Sequence, residues 1–183
     1  MSQIENNLTK DEEIVAKAEQ TMISIIPSII KSLLVGIIIG LLLLFPIFSI
    51  LMYKLKLIHV IATILIPAIL TPALYALKDI LTIKSTELAV TTKKIFGKTG
   101  IINTKIMDAP LNKINNITVE QNLSGKLFGF GKVVITTSSG NYNFPFIKNA
   151  DSFRRVVMNQ IDIYDNERVK KQAEELTRSM ANG

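Results

Sequence analysis

Few residues of this 183-residue chain could do chemistry by type, and none stands at the spacing that chemistry requires. The nearest approach is Gly97, Lys98 and Thr99 within IFGKTGII, residues 95–102, which reads like the end of a phosphate-binding loop of pattern G-x-x-x-x-G-K-[ST]. That loop needs an earlier glycine so that backbone amides can wrap the phosphates, and the position it should occupy holds Thr92. It must also run into a helix, whereas residues 102–106 alternate as a strand does. The single histidine, His59, lies two residues inside an apolar run, where a polar interface residue is expected rather than a ligand. There is no cysteine, and the acids are scattered. A nucleophile with its base, a carboxylate pair or a cluster of metal ligands is the minimum for catalysis; the expectation is therefore no catalytic residue, no metal and no cofactor.

The elements around these residues are unusual. Hydrophobic residues make up 48% of the chain and its mean hydropathy is +0.34, with the excess concentrated in two places. Residues 32–53 (SLLVGIIIGLLLLFPIFSILMY) and 57–77 (LIHVIATILIPAILTPALYAL) carry no charge. At ~1.5 Å per residue each reaches about 30 Å, the thickness of a bilayer's hydrocarbon layer. Two helices apolar all round would need far more protein to bury them than this chain supplies. A transmembrane hairpin over 27–80 follows, with Tyr53, Lys54, Leu55 and Lys56 as its tight turn and both chain ends on one side.

Lysine placement orients it. The turn holds Lys54 and Lys56, whereas the terminal side holds Lys10, Lys17, Lys31, Lys78, Lys84, Lys93 and Lys94. The positive-inside rule makes that side cytoplasmic, so the expected location is a two-pass protein of the cell membrane with its termini inside. Gly36 and Gly40 form a G-x-x-x-G suited to close helix packing.

Thr9 and Glu12 have the spacing of a capping box, and Ile14, Val15, Ala18 and Met22 recur at helical intervals. Residues 1–26 are therefore expected to form an amphipathic lead-in helix. After Ser85 the chain turns to short alternating runs: Leu88 and Val90, 94–98, 102–108, Ile117 and Val119, Val133 to Thr137, then Tyr142, Phe144 and Phe146. Six antiparallel strands are expected, with turns at Gly100, Pro110 to Lys113, Gly125 to Gly131, and Ser139 to Asn141. From Asn149 the period becomes helical, with Phe153, Val156, Val157, Ile161 and Tyr164 on one stripe and a charged helical tail over 164–183.

TELAVTTKKIFGKTG, DAPLNKINNITVEQNLSGKLFGFGKVVITTSSG and FPFIKNADSFRRVV, spread over 86–157 behind the hairpin, resemble the membrane-flanked bacterial pleckstrin-homology (PH-like) family. The resemblance implies an α+β PH-like domain over 85–163: a small, partly open antiparallel β-barrel capped by a C-terminal α-helix, without catalysis. The pleckstrin fold has seven strands, so one is missing or hidden near Leu111 to Ile114. Eukaryotic relatives grip inositol phosphates with a basic loop between the first two strands; here that link is Thr92 and Lys93, and no K-x-R pairing follows.

If the meander stands along the membrane normal, its turns alternate between two ends. Lys84, Lys98, Ile101, Ile102, Lys126, Phe128 and Lys148 then form a membrane interface, with Leu127 beside them. Lys93, Lys94 and Lys113 gather at the far end as a partner-binding surface for an acidic protein. Residues 85–163 hold ten lysines and arginines against five acids, a net +5, but the charge is spread and carries no nucleic-acid motif. The expected function is a membrane-anchored binding and scaffolding module. Its expected partners are the lipid bilayer, a membrane or cytoplasmic protein and a further copy of the chain, with no nucleic acid. The alternative is an oligomeric membrane component of an export or peptide-immunity system.

Overall fold

The computed structural model describes residues 3–10, 12–51 and 57–181, with side chains described for these except Gln3, Asn6, 43–51 and 57–64. The expected hairpin turn and the side chain of His59 lie outside the described residues. The elements, in order, are helix α1 (Gln3–Asn6), strand β1 (Ile14–Lys17), helices α2 (Ile25–Leu51) and α3 (Leu57–Ser85), and strands β2 (Glu87–Thr91), β3 (Lys94–Thr99), β4 (Lys105–Pro110) and β5 (Ile114–Glu120). Helix α4 (Leu123–Phe128), strands β6 (Phe130–Thr137) and β7 (Gly140–Lys148), and helix α5 (Ala150–Ala181) follow. The chain divides into two compact units, residues 22–83 and the combination of 1–21 with 84–183.

The larger unit holds two antiparallel sheets, ordered β1-β2-β3-β4 and β5-β6-β7. Alternation does what it is expected to do. In β6, Val133, Ile135 and Thr137 point inward, and they meet Leu88, Ile95, Met107, Ile117, Phe144 and Ile147 in one core, against which α5 lays Ala150, Phe153 and Val157. Gly97 sits where β3 packs tightly against the other sheet, since a Cβ there would run into the ring of the fully buried Phe144. The glycine of the GKT motif is therefore a packing residue inside β3, and Gly100, at φ +106°, makes the turn that follows.

There are seven strands among the described residues, and the seventh is not near Leu111 to Ile114, which is a 3-10 turn leading into β5. It is β1, in the segment expected to be a helix. Thr9 and Glu12 make only half of a capping box: the Thr9 N–H and Oγ1 donate to Glu12 Oε2 at 2.8 and 2.6 Å, but the Glu12 N–H donates to the Thr9 carbonyl at 3.1 Å and not to the Thr9 hydroxyl. The box closes a turn that enters a strand, because the open edge of β2 offers backbone partners to the β-branched Ile14 and Val15. Ile14 pairs with Thr91 and Lys17 with Ala89. The chain then passes to the edge of the other sheet: the Ala18 N–H donates to the Leu88 carbonyl, and Gln20 bridges Ile147. One N-terminal segment thus edges both sheets, and the first two strands of the domain are joined by α2 and α3.

The glycines of 125–131 also do more than turn the chain. Asn122 caps α4 by accepting from the Gly125 N–H at 2.7 Å, and Gly129, at φ +71°, ends it in the left-handed conformation. The helical tail continues α5 without a break to Ala181.

In the smaller unit α2 and α3 are long and apolar enough to cross a membrane. Among the described residues, 17% of the apolar window within 22–42 and 6% of that within 65–85 is buried, so most of the described surface of these helices is left uncovered by the chain.

Candidate functional site

Two ends of the larger unit carry the residues singled out by the sequence. The first lies where the chain leaves and re-enters it. Glu87 pairs with Lys98, so the β3–β4 connection that holds Ile101 and Ile102 is at the end where β2 begins, next to Lys84. Ile102 is 98% exposed and Ile101 is exposed beside it. Helix α4 is linked to the same neighbourhood through the chain's hydrogen bonds. The Asn149 N–H donates to the Gly129 carbonyl at 2.9 Å, and the Lys148 N–H to that of Glu19 at 2.7 Å, two residues before the chain leaves at Thr21. On α4, Leu123 (88%) and Leu127 (78%) project into solvent, with Phe128 and Lys126 also exposed. A six-residue helix that leaves two leucines and a phenylalanine open is an apolar knob rather than a core element. Leu123 was missed because the segment was read as a loop; the Asn122 cap three residues before Gly125 was the available signal.

Of the lysines here, Lys84 and Lys126 are exposed and Lys98 is partly covered. Lys148 forms an ion pair with Glu19 at 3.3 Å, with both side chains largely in water. Such a pair is weak, about 0–1 kcal/mol, and it sets the Glu19 charge against any attraction of Lys148 for an anionic headgroup.

At the other end Lys93 and Lys94 line a cleft of about 810 Å³ between the β2–β3 turn, the segment before β1 and the middle of α5. The Lys94 ammonium is held within the fold: it donates to Asp108 Oδ2 and to the Asn7 carbonyl, each at 2.9 Å, and only 14% of its side chain is exposed. Lys93 donates to the Lys10 carbonyl at 2.9 Å and Lys113 is exposed. Both ammonium contacts tie down the N-terminal segment, which gives these residues a structural role that the sequence did not reveal. Beneath them Glu12 is buried and accepts from the Thr91 hydroxyl at 2.7 Å as well as from Thr9. Burial alone would raise the Glu12 carboxyl, but the bonds from Thr9 and Thr91, helped by the nearby Lys94 charge, outweigh it and hold the group below its ordinary value.

Among the described residues no group of three or more histidines, cysteines or acids could hold a metal. Gly36 and Gly40 are both buried on α2. A Cβ at Gly36 would lie 2.5 Å from Thr71 Oγ1 and 3.0 Å from the Ala68 Cα, so this glycine serves contact between α2 and α3 of the same chain.

A sequence profile described as Bacterial PH domain matches residues 21–178. The chain belongs to that family. Its two sheets and C-terminal helix fit the PH-like fold, and PH domains are generally binding modules rather than enzymes. No curated protein and no solved structure matches the chain significantly. Within this bacterial PH domain the link between the first two strands is not Thr92 and Lys93, which join β2 to β3. The link is the whole apolar hairpin, because the true first strand precedes it. The match begins at residue 21, so β1 lies outside it.

Proposed function

We propose that the chain is a membrane-anchored PH-like binding and scaffolding module at the cytoplasmic face, which contacts proteins through its barrel and anionic lipid headgroups through the end that bears Ile101, Ile102 and α4. One observation carries the reading. Thr21 and Lys84 belong to a single folded unit, and the residues between them form two helices of membrane-spanning length with apolar, open surfaces. A segment that leaves and returns to one folded unit must cross a bilayer an even number of times, so a two-pass hairpin is the simplest arrangement. The lysine bias of the terminal side supports a cytoplasmic location. At about 1 kcal/mol for each lysine near an anionic leaflet, Lys84, Lys98 and Lys126 add a modest attraction, and the leucines of α4 with Ile102 supply an apolar contact.

The chain has no cysteine, so single cysteines at Ile102 and Ser139 report cleanly in the intact protein. The protein should stay with membranes through a carbonate wash and leave only with detergent. An impermeant maleimide should label Ser139→Cys only after the cells are opened. An environment-sensitive dye at Ile102→Cys should report an apolar surrounding in membranes. Release by carbonate or labelling in intact cells refutes the anchoring or its orientation; water-like emission from the dye refutes lipid contact alone.

A further inference from the structure

The contact of α2 and α3 at Gly36 is reinforced by Thr71, whose hydroxyl donates to the Pro67 carbonyl at 2.7 Å and reaches the Ser32 carbonyl at 3.4 Å. One turn further toward the chain ends, the same two helices line a cavity of about 300 Å³ with Ser28, Lys31 and Ser32 of α2 and Tyr75, Lys78 and Asp79 of α3, together with the apolar Val35. Each trio has i, i+3, i+4 spacing, so each occupies one face of its helix. The volume is at the small end of ligand pockets, which run from roughly 300 to 1,000 Å³.

Two features mark the cavity as a binding site rather than a packing defect. Asp79 Oδ2 is sealed from solvent and has no hydrogen-bond partner. Buried polar atoms of a native fold are nearly always paired, and a carboxylate oxygen is the most costly to leave alone. The charges are also unbalanced, with two ammonium groups against one carboxylate. A ligand with one negative charge and a hydrogen-bond donor would correct both.

The cavity's depth narrows the choice. Lys31, Lys78 and Asp79 lie immediately outside the uncharged stretches 32–53 and 57–77, toward the start of α2 and the end of α3. If the hairpin spans the bilayer, as proposed above and as this inference requires, that level is the headgroup layer. We propose that the cavity holds the headgroup of an anionic phospholipid that bears hydroxyl groups. Lys31 and Lys78 bind its phosphodiester, Ser28 donates to a phosphate oxygen, and a small rotation of the Asp79 side chain brings its unpaired carboxylate oxygen to a headgroup hydroxyl, from which it accepts.

The test uses the full-length chain in detergent, with bound lipid read by native mass spectrometry. Phosphatidylglycerol is compared with phosphatidylpropanol, which has the same charge and no headgroup hydroxyl. The wild type should retain phosphatidylglycerol about tenfold better, as a hydrogen bond to a charged group implies. Asp79→Ala should abolish that preference. K31A/K78A should weaken retention of both lipids, and K31R/K78R should restore it, which separates charge loss from misfolding. Equal retention of the two lipids by the wild type, or a preference that survives Asp79→Ala, overturns the proposal. Displacement of the lipid by equimolar glycerol 3-phosphate assigns the site to a soluble phosphoester and overturns the lipid assignment. Carbonate extraction reads the anchoring separately: a released chain refutes anchoring and this site together, whereas a retained chain with indifferent lipid binding refutes the site alone.

Discussion

The N-terminal segment should be indispensable to the domain that begins more than sixty residues after it. Two soluble chains test this: residues 84–183 alone, and residues 1–21 joined to 84–183 by a flexible linker in place of the hairpin. Removing 1–21 breaks the bonds from Ala18 to Leu88, Thr92 to Glu13, Lys148 to Glu19 and Thr21 to Phe146, whose lengths run from 2.7 to 3.1 Å. At a net contribution of roughly 1 kcal/mol each, these alone are worth about 4 kcal/mol. The β1–β2 ladder is lost as well, and Ile4, buried against Ala89 and Phe96, contributes about 1.5–3 kcal/mol more. The loss is comparable with the whole stability of a typical domain, about 5–15 kcal/mol. The joined chain should unfold cooperatively in urea, and 84–183 alone should show little or no folded baseline. An equal urea midpoint, with dispersed amide resonances from 84–183 alone, would refute the assignment of β1 as an integral strand.

Two further perturbations read other parts of the same unit. Gly97→Val places a branched side chain against the ring of Phe144, so it should destabilise the domain by about 1–3 kcal/mol and lower its thermal midpoint, and ATP should change the midpoint of neither form; a neutral substitution would show that the two sheets are not closely packed there. Glu12 titrates below its ordinary value in the folded state, so its contribution is complete above the unfolded carboxylate's pKa and disappears as the pH falls through the folded one. Glu12→Gln should therefore be less stable at neutral pH but lose less on acidification, and parallel stability curves for the two forms would contradict the bonds drawn from Thr9 and Thr91.

What was legible in the sequence was the part governed by local period. The strands β5 to β7 announce themselves by alternation, and α5 by its stripe, because each buries one face against the main core; β2 and β3 are buried on both faces, with Ala89 and Phe96 under Ile4, and are legible only from their short apolar runs. β1 was hidden because it is four residues long, and because Thr9 and Glu12 supply a local signal that two structures share. Only the open edge of β2, remote in sequence, decides between them. Helix α4 was obscured by glycines that act as its cap and its closest contact rather than as turn residues. Lys93 and Lys94 were read as a surface for partners because their charge is visible in the sequence, whereas the Asn7 and Lys10 carbonyls that occupy them are not. The cavity beside Asp79 was invisible for a related reason: it sits just outside each uncharged stretch, where counting charges within the spans finds nothing.

The order of the strands constrains how the chain can be assembled. Ile14 pairs with Thr91, so β1 is synthesised first but has no partner until both apolar helices have emerged. At about 5–20 residues per second that interval lasts several seconds, and closing so long a loop is slow in itself. In the anchored reading the consequence is a check on insertion. If only one of the two helices enters the bilayer across its full width, residues 1–21 and 84–183 end on opposite sides. The sheet then lacks its edge, Ile4 and Ala18 stay exposed, and the donors of Thr92 and Lys148 have no acceptor. On that reading the full-length bacterial PH domain completes its sheet only when both helices have inserted, and β1, which precedes them, would couple folding of the domain to topology.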